Sequence, residues 1–150
     1  MPVHQETKVL PYSAAQMYAL VADVASYPQF LPWCSGARIL SREDNEMLAE
    51  LTIGYKVIRE RFVSRVLLNK TNKTIEVAYV SGPLKALRNE WKFHDTGPGQ
   101  CQVDFFVHFE FSSRLLSHLM DVFFDVAFRR MVTAFEKRAE EIYGSHKGRL

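Results

Sequence analysis

Residues 103–111 constrain this chain more than any other stretch. Val103, Phe105, Val107, Phe109 and Phe111 alternate with Asp104, Phe106, His108 and Glu110. This period of two turns one strongly apolar face toward a core. Directly after Ser112 and Ser113, residue types that cap helices, the pattern becomes helical to about Tyr143, with Gly144 as the residue just past the end. The polar stripe of that helix is His118, Asp121, Asp125, Arg129, Glu136 and Glu140, with Asp125 and Arg129 an i, i+4 pair. Its opposite face carries Leu116, Leu119, Met120, Phe123, Phe124, Ala127, Met131, Ala134 and Phe135, a wide apolar surface. Charges interrupt it too often for it to span a bilayer. Curling a sheet around the helix buries both apolar surfaces at once.

The rest of the chain supplies such a sheet. Val3 to Leu10 reads as a strand that stops at Pro11. Tyr12-Ser13-Ala14-Ala15-Gln16-Met17 then carries a helix start: Ser13 caps, Gln16 reaches back, and Tyr12 and Met17 form a hydrophobic staple. The helix runs through Leu20, Val21 and Val24, and a second short helix from Ser26 is cut off by Pro32. From Trp33 onward the pattern is strands. Met47, Ala49, Leu51, Ile53, Tyr55 and Val57 share one parity; Phe62, Ser64, Val66 and Leu68, then Ile75, Val77 and Tyr79, then Leu87, Asn89, Trp91 and Phe93 continue the series. Gly97-Pro98-Gly99 makes the last turn. Strands separated only by turns imply an antiparallel meander, because parallel pairs need crossovers. The expected class is α+β: a curved antiparallel sheet of about seven strands around a long C-terminal helix, with a short helix pair after strand 1. It forms one domain over residues 1–150 with its core at about 3–144.

Catalytic signatures are absent. The sequence holds no GxSxG, HExxH, P-loop or GxGxxG. The five histidines, His4, His94, His108, His118 and His146, show no ligand spacing and read as surface or strand-edge residues. Glu60, Asp104 and Glu110 read as solvated outer-face carboxylates. Cys34 and Cys101 lie far apart with no metal-ligand pattern, and Leu31-Pro32-Trp33-Cys34 offers nothing to depress a thiol pKa. No cofactor, metal or enzymatic activity is expected. The N-terminus has neither a basic n-region nor an apolar h-region, so a cytoplasmic location is expected.

The net charge is +2, well short of a dedicated nucleic-acid binder, and no DNA partner is expected. Arg59, Arg61 and Arg65 share one strand parity, opposite Phe62 and Val66, and point outward. Arg38, Arg42, Lys56, Lys147 and Arg149 extend that patch. Such a face is ordinarily just solvated, yet it also suits non-specific docking to phosphates.

A Phe-rich strand face on a Phe-rich helix face is ordinarily a packed core. Two features favour a cavity instead: the helix face is wide, and Tyr27-Pro28, Phe30-Leu31-Pro32-Trp33 and Gly82-Pro83-Leu84 place rigid turns and aromatics in the connections, where pocket mouths are built.

Tyr27-Pro28-Gln29-Phe30-Leu31-Pro32-Trp33-Cys34 resembles the coenzyme Q-binding, START-like family of the polyketide cyclase/dehydrase superfamily. So do Gly82-Pro83-Leu84-Lys85-Ala86-Leu87, Asn89-Glu90-Trp91-Lys92-Phe93, Phe105 to Phe111, and the opening Thr7 to Ser13 and Leu20 to Val24. The resemblance runs from about residue 3 to 144. It implies a helix-grip fold with an apolar cavity and, in mitochondrial members, ubiquinone as the bound ligand in support of respiration. Bacterial members include a ribosome-association toxin that binds the large subunit and blocks joining with the small one. Without a transit peptide the bacterial branch is the natural assignment. Distant relatives are polyketide cyclases and aromatases, against which the missing acid/base constellation argues.

The primary expectation is therefore non-catalytic binding of ubiquinone or a similar polyisoprenoid lipid, with transient contact at the inner membrane surface. Its lining would be Leu119, Phe123, Phe124, Ala127 and Met131 from the helix and Trp91, Phe109 and Phe111 from the sheet. Tyr27, Phe30, Trp33, Leu84 and Leu87 would guard the entry. The alternative is a toxin that contacts the large ribosomal subunit through Arg59, Arg61 and Arg65.

Overall fold

Strand β1 (Val3–Leu10) ends at Pro11, and α1 (Ala14–Ala22) begins behind the capping box read from the sequence. The Gln16 amide donates to Ser13 Oγ at 3.1 Å, and the Ser13 amide donates to Gln16 Oε1 at 2.9 Å. Ala14, Met17, Tyr18, Leu20 and Val21 form the buried face of α1. The next element differs from the expected second α-helix: Val24–Gln29 is a 3₁₀ segment starting two residues earlier and containing Pro28. Proline lacks the amide that a longer α-helix would need there, and 3₁₀ geometry suits so short a piece.

This computed structural model describes residues 3–55 and 58–144; the side chains at 55, 58, 116 and 119–125 lie outside the described set. Six further strands complete the sheet after the 3₁₀ segment: β2 (Cys34–Arg42), β3 (Glu46–Tyr55), β4 (Ile58–Asn69), β5 (Thr74–Ser81), β6 (Leu84–Gly97) and β7 (Gln100–Phe111). They form one antiparallel sheet in the order β1-β7-β6-β5-β4-β3-β2, a meander closed at one edge by the first strand. Register breaks between Cys34 and Gly36, Ile39 and Ser41, Val63 and Ser64, Leu84 and Ala86, and Asp95 and Gly97 interrupt the ladders. Such bulges bend strands and add twist, which lets the sheet curve into a grip.

The inward parity is the predicted one. Val103, Phe105, Val107, Phe109 and Phe111 are all buried, as are Phe62, Ser64, Val66 and Leu68 on β4. Glu60 is a correction. It lies opposite Ile53 in the ladder and shares the parity of Phe62, so it belongs to the inner face near the β3–β4 hairpin. Asp104 and Glu110 do lie on the outer parity of β7, but Glu110 is not solvated as expected: its side chain is only 15% exposed, beside Lys85.

Helix α2 (Arg114–Ala139) starts where Ser117 donates to the Ser113 carbonyl at 2.9 Å. Phe128, Met131, Phe135 and Ala139 are its buried residues among those described. Its end departs from the simple C′ expectation: Glu140–Gly144 is a π-helical turn with Gly144 inside it. That turn docks on α1, with the Tyr143 hydroxyl donating to the Gln16 carbonyl at 2.9 Å and the Tyr12 hydroxyl to Glu140 at 3.0 Å. Lys8 pairs with Glu136, tying the edge strand to the helix. Of the predicted polar stripe, the Asp121 and Asp125 side chains lie outside the described residues, and with them the Asp125–Arg129 pair.

Gly82 shapes the β5–β6 connection. Its φ is +137°, and a Cβ there would stand 2.8 Å from Phe62 Cβ and 2.9 Å from the Arg61 carbonyl. Neither strain nor clash is relieved by a flexible neighbour. Gly82→Ala is therefore expected to cost about 1–3 kcal/mol, seen as a lower urea midpoint with an unchanged m-value.

An apolar cavity between sheet and helix

A cavity of about 460 Å³ lies between the concave sheet face and α2. Its ceiling is Ala127, Phe128, Met131 and Phe135 from α2. The sheet contributes Leu51 and Ile53 of β3, Phe62, Ser64 and Val66 of β4, Ile75 and Val77 of β5, Leu87, Asn89 and Trp91 of β6, and the odd residues of β7 from Phe105 to Phe111. Val24, Tyr27, Leu31 and Trp33 close it from the 3₁₀ segment and the connection to β2. A single curved sheet leaves this space because its strands bow away from a straight helix.

Aromatic rings brace the walls. Trp91 lies 4.6 Å from Phe105 and 5.2 Å from Phe135, both edge-on, and Phe109 meets Phe111 edge-on at 5.0 Å. Edge-to-face geometry matches ring edges to negative ring faces. Polar groups are few and mostly engaged. The Asn89 side chain donates to the Phe106 carbonyl at 2.8 Å and accepts from Trp91 Nε1 at 2.9 Å. The Tyr27 hydroxyl donates to the Val21 carbonyl at 2.5 Å, and burial pushes its pKa strongly up. Among the described residues that line the cavity none is charged.

The structure brings together Tyr27, Trp33, Leu87, Trp91, Phe109, Phe111, Ala127 and Met131 around this space. Leu119, Phe123 and Phe124 have side chains outside the described residues. Phe30 is not part of the lining: it packs on Phe135 at 5.2 Å, with the Arg138 guanidinium 5.2 Å from its ring centroid. Leu84 is buried at the start of β6, opposite Phe111, without lining the cavity. Sequence reasoning missed Phe128, although 128, 131 and 135 have helical i, i+3, i+7 spacing. The flanking Arg129 and Arg130 disguised it.

The outward arginines are less uniformly free than the sequence implied. Arg59 and Arg61 are exposed, whereas Arg65 pairs with Glu46 at 2.5 Å and Arg38 with Glu50 at 3.2 Å. Lys56, Lys147 and Arg149 lie outside the described residues. His94 is exposed beside Asp104 at 3.4 Å. His108 is instead half-buried on the outer face of an internal strand, with Nε2 unpartnered among the described residues. His4, on the edge strand, turns inward to within 6.1 Å of the Phe128 ring. Burial pushes both thiols up, Cys101 to about 11, and no group of three or more potential metal ligands occurs among the described residues. No helix among them is long and apolar enough to cross a membrane.

The family described as polyketide cyclase/dehydrase and lipid transport matches residues 10–136. The chain belongs to this family. Within it, the chain is 41% identical over 143 residues to the ribosome association toxin RatA of Rickettsia prowazekii, covering 92% of this chain and 96% of that one. It is 40% identical over 144 residues to coenzyme Q-binding protein COQ10 homolog B, mitochondrial, of Xenopus laevis, covering 94% of this chain and 59% of that protein. The chain thus spans about three-fifths of that relative's length. Among solved structures, a START superfamily protein from Mycobacterium smegmatis superposes with a TM-score of 0.80 at 17% identity, over 93% of this chain and 98% of that one. An aromatase/cyclase from Streptomyces gives 0.82 at 14%, over 93% of each chain. At these identities the two structures speak to the fold, a START-like helix-grip.

Asn89 ties two cavity walls together through its paired hydrogen bonds. Replacing it by Leu keeps the volume but strands Trp91 Nε1 and the Phe106 carbonyl. Asn89→Leu is expected to destabilise the fold by about 1–3 kcal/mol, measured by chemical denaturation.

Proposed function

We propose that this protein is a non-catalytic binder of ubiquinone or a similar polyisoprenoid lipid, exchanging it with a membrane surface in support of respiratory electron transport. The observation that carries the reading is the aromatic cavity between sheet and helix, with no charge among its described lining residues. The likeness to a protein named for coenzyme Q binding supports it. At about 30 Å³ per water-sized group, the space takes roughly fifteen such groups, about a substituted ring head and the start of its tail. Energetics then favour exchange over storage. Each buried CH₂ is worth about 0.8 kcal/mol against water, but a bilayer offers the same, so transfer between membrane and protein is nearly balanced. Leu115, 69% exposed at the start of α2, and Val126, 41% exposed, are apolar groups suited to transient surface contact.

The test is extraction of the protein from its membrane-containing host, with native mass spectrometry of what co-purifies. A stoichiometric quinone is expected in the wild type. Ala127→Phe, which thrusts a ring into the cavity, is expected to lower occupancy at least tenfold while costing about 1–3 kcal/mol of stability. Quinone-free wild-type protein, or equal loading of the variant, would sink the reading.

A second reading is a role on the ribosome, favoured by the likeness to RatA over almost the whole of both chains. Its contact would be the exposed Arg59 and Arg61 on the outer face, with Arg65 held by Glu46 beside them. Neutralised phosphates release counterions, so such binding weakens steeply with salt. The double variant Arg59→Glu, Arg61→Glu is expected to abolish co-sedimentation with large ribosomal subunits without changing lipid loading. Undiminished pelleting would remove that surface from consideration.

A further inference from the structure

Among the described residues, the cavity wall holds a buried donor without a partner. Tyr27, Asn89 and Trp91 each give a donor to a protein acceptor. Trp33 lines the same cavity, yet its Nε1 is buried and has no hydrogen-bond partner among the described residues. The residue is not free to turn away cheaply. Its carbonyl accepts from the Gly54 amide at 2.8 Å, and its ring lies 6.4 Å from Phe128 across the cavity roof. Buried donors are satisfied in the great majority of cases, and an orphan of this kind carries a desolvation penalty that an occupant can relieve. A charged head has no counter-ion among the described lining residues and would enter at prohibitive cost.

We infer that the occupant is a neutral molecule bearing an acceptor oxygen, such as the ring carbonyl of a quinone, and that Trp33 Nε1 donates to that oxygen. The inference rests on the lipid-binding reading and sharpens it: the hydrocarbon part supplies affinity that any membrane lipid could match, and the indole N–H supplies the choice of head. Trp33 is then a specificity-determining residue, and an oxygen-free hydrocarbon of equal size is the disfavoured occupant.

The chain has two tryptophans, so indole N–H resonances of ¹⁵N-labelled protein are readily told apart. Trp91, already bonded to Asn89, serves as the internal reference. The probes are a ubiquinone analogue with one isoprenoid unit and an oxygen-free arene carrying the same chain. With the quinone, the Trp33 indole proton is expected to move downfield while Trp91 barely shifts; the arene should leave Trp33 without a downfield shift. In Trp33→Phe the preference for quinone over arene, read as a ratio of Kd values, should fall about threefold to tenfold. Quinone binding with a stationary Trp33 signal, or an unchanged ratio in the variant, overturns the assignment of Trp33 and leaves the lipid reading intact. Failure of both probes to bind overturns the lipid reading and this inference together. Should Trp33→Phe not fold, the wild-type comparison of the two probes decides alone.

Discussion

The burial of one face of β7 against α2 holds the rest in place. β7 sits between β1 and β6 in the sheet, and its odd residues meet the helix through Phe105 and Phe128, 6.3 Å apart. Trp91 joins the cluster from β6 and touches Phe135 further along the helix. A slip of one residue in this strand would turn five apolar side chains to water and four mostly polar ones to the helix. With that register fixed, β1 is pinned as an edge, Lys8 reaches Glu136, and the far strands can only continue the meander outward.

Much of this was legible because it obeys simple periods. The alternation at 103–111, the helical face through Met131 and Phe135, and the Ser13–Gln16 capping box are local patterns, and local patterns survive folding when their neighbours agree. The departures have tertiary causes. The 3₁₀ segment at Val24–Gln29 and the π turn at Glu140–Gly144 are too short for periodicity to register, and both are fixed by what they dock against. Glu60 shows a different failure: its charge invited an outward placement, although its ladder position beside Phe62 turns it inward. The cavity was legible as a supply of apolar side chains but not as a space. Whether facing aromatic surfaces close or stand apart depends on sheet curvature, which rests on register breaks that no residue type announces. Phe30, an aromatic in the right loop, packs on Phe135 without being part of the lining.

The two faces of the sheet carry opposite chemistry, and their roles need not compete. The concave face is apolar and without charge among its described lining. The convex face holds arginines, two of which, Arg38 and Arg65, are tempered by glutamates on β3. Exposed ion pairs of this kind add little stability, but they thin the positive field around Arg59 and Arg61. The two proposed contacts, with phosphates on one side and lipid on the other, would therefore be geometrically separable, since β4 turns alternate residues to each face.

On the proposed reading, the apolar cavity would also couple occupancy to lifetime. A ligand that binds only the folded chain shifts the folding equilibrium by mass action, and molecules without one spend more time open to proteolysis. On the proposed lipid-binding reading, scarcity of the ligand would shorten the life of the chain and plenty would prolong it. Abundance would then track supply with no dedicated sensor, the void itself acting as the gauge.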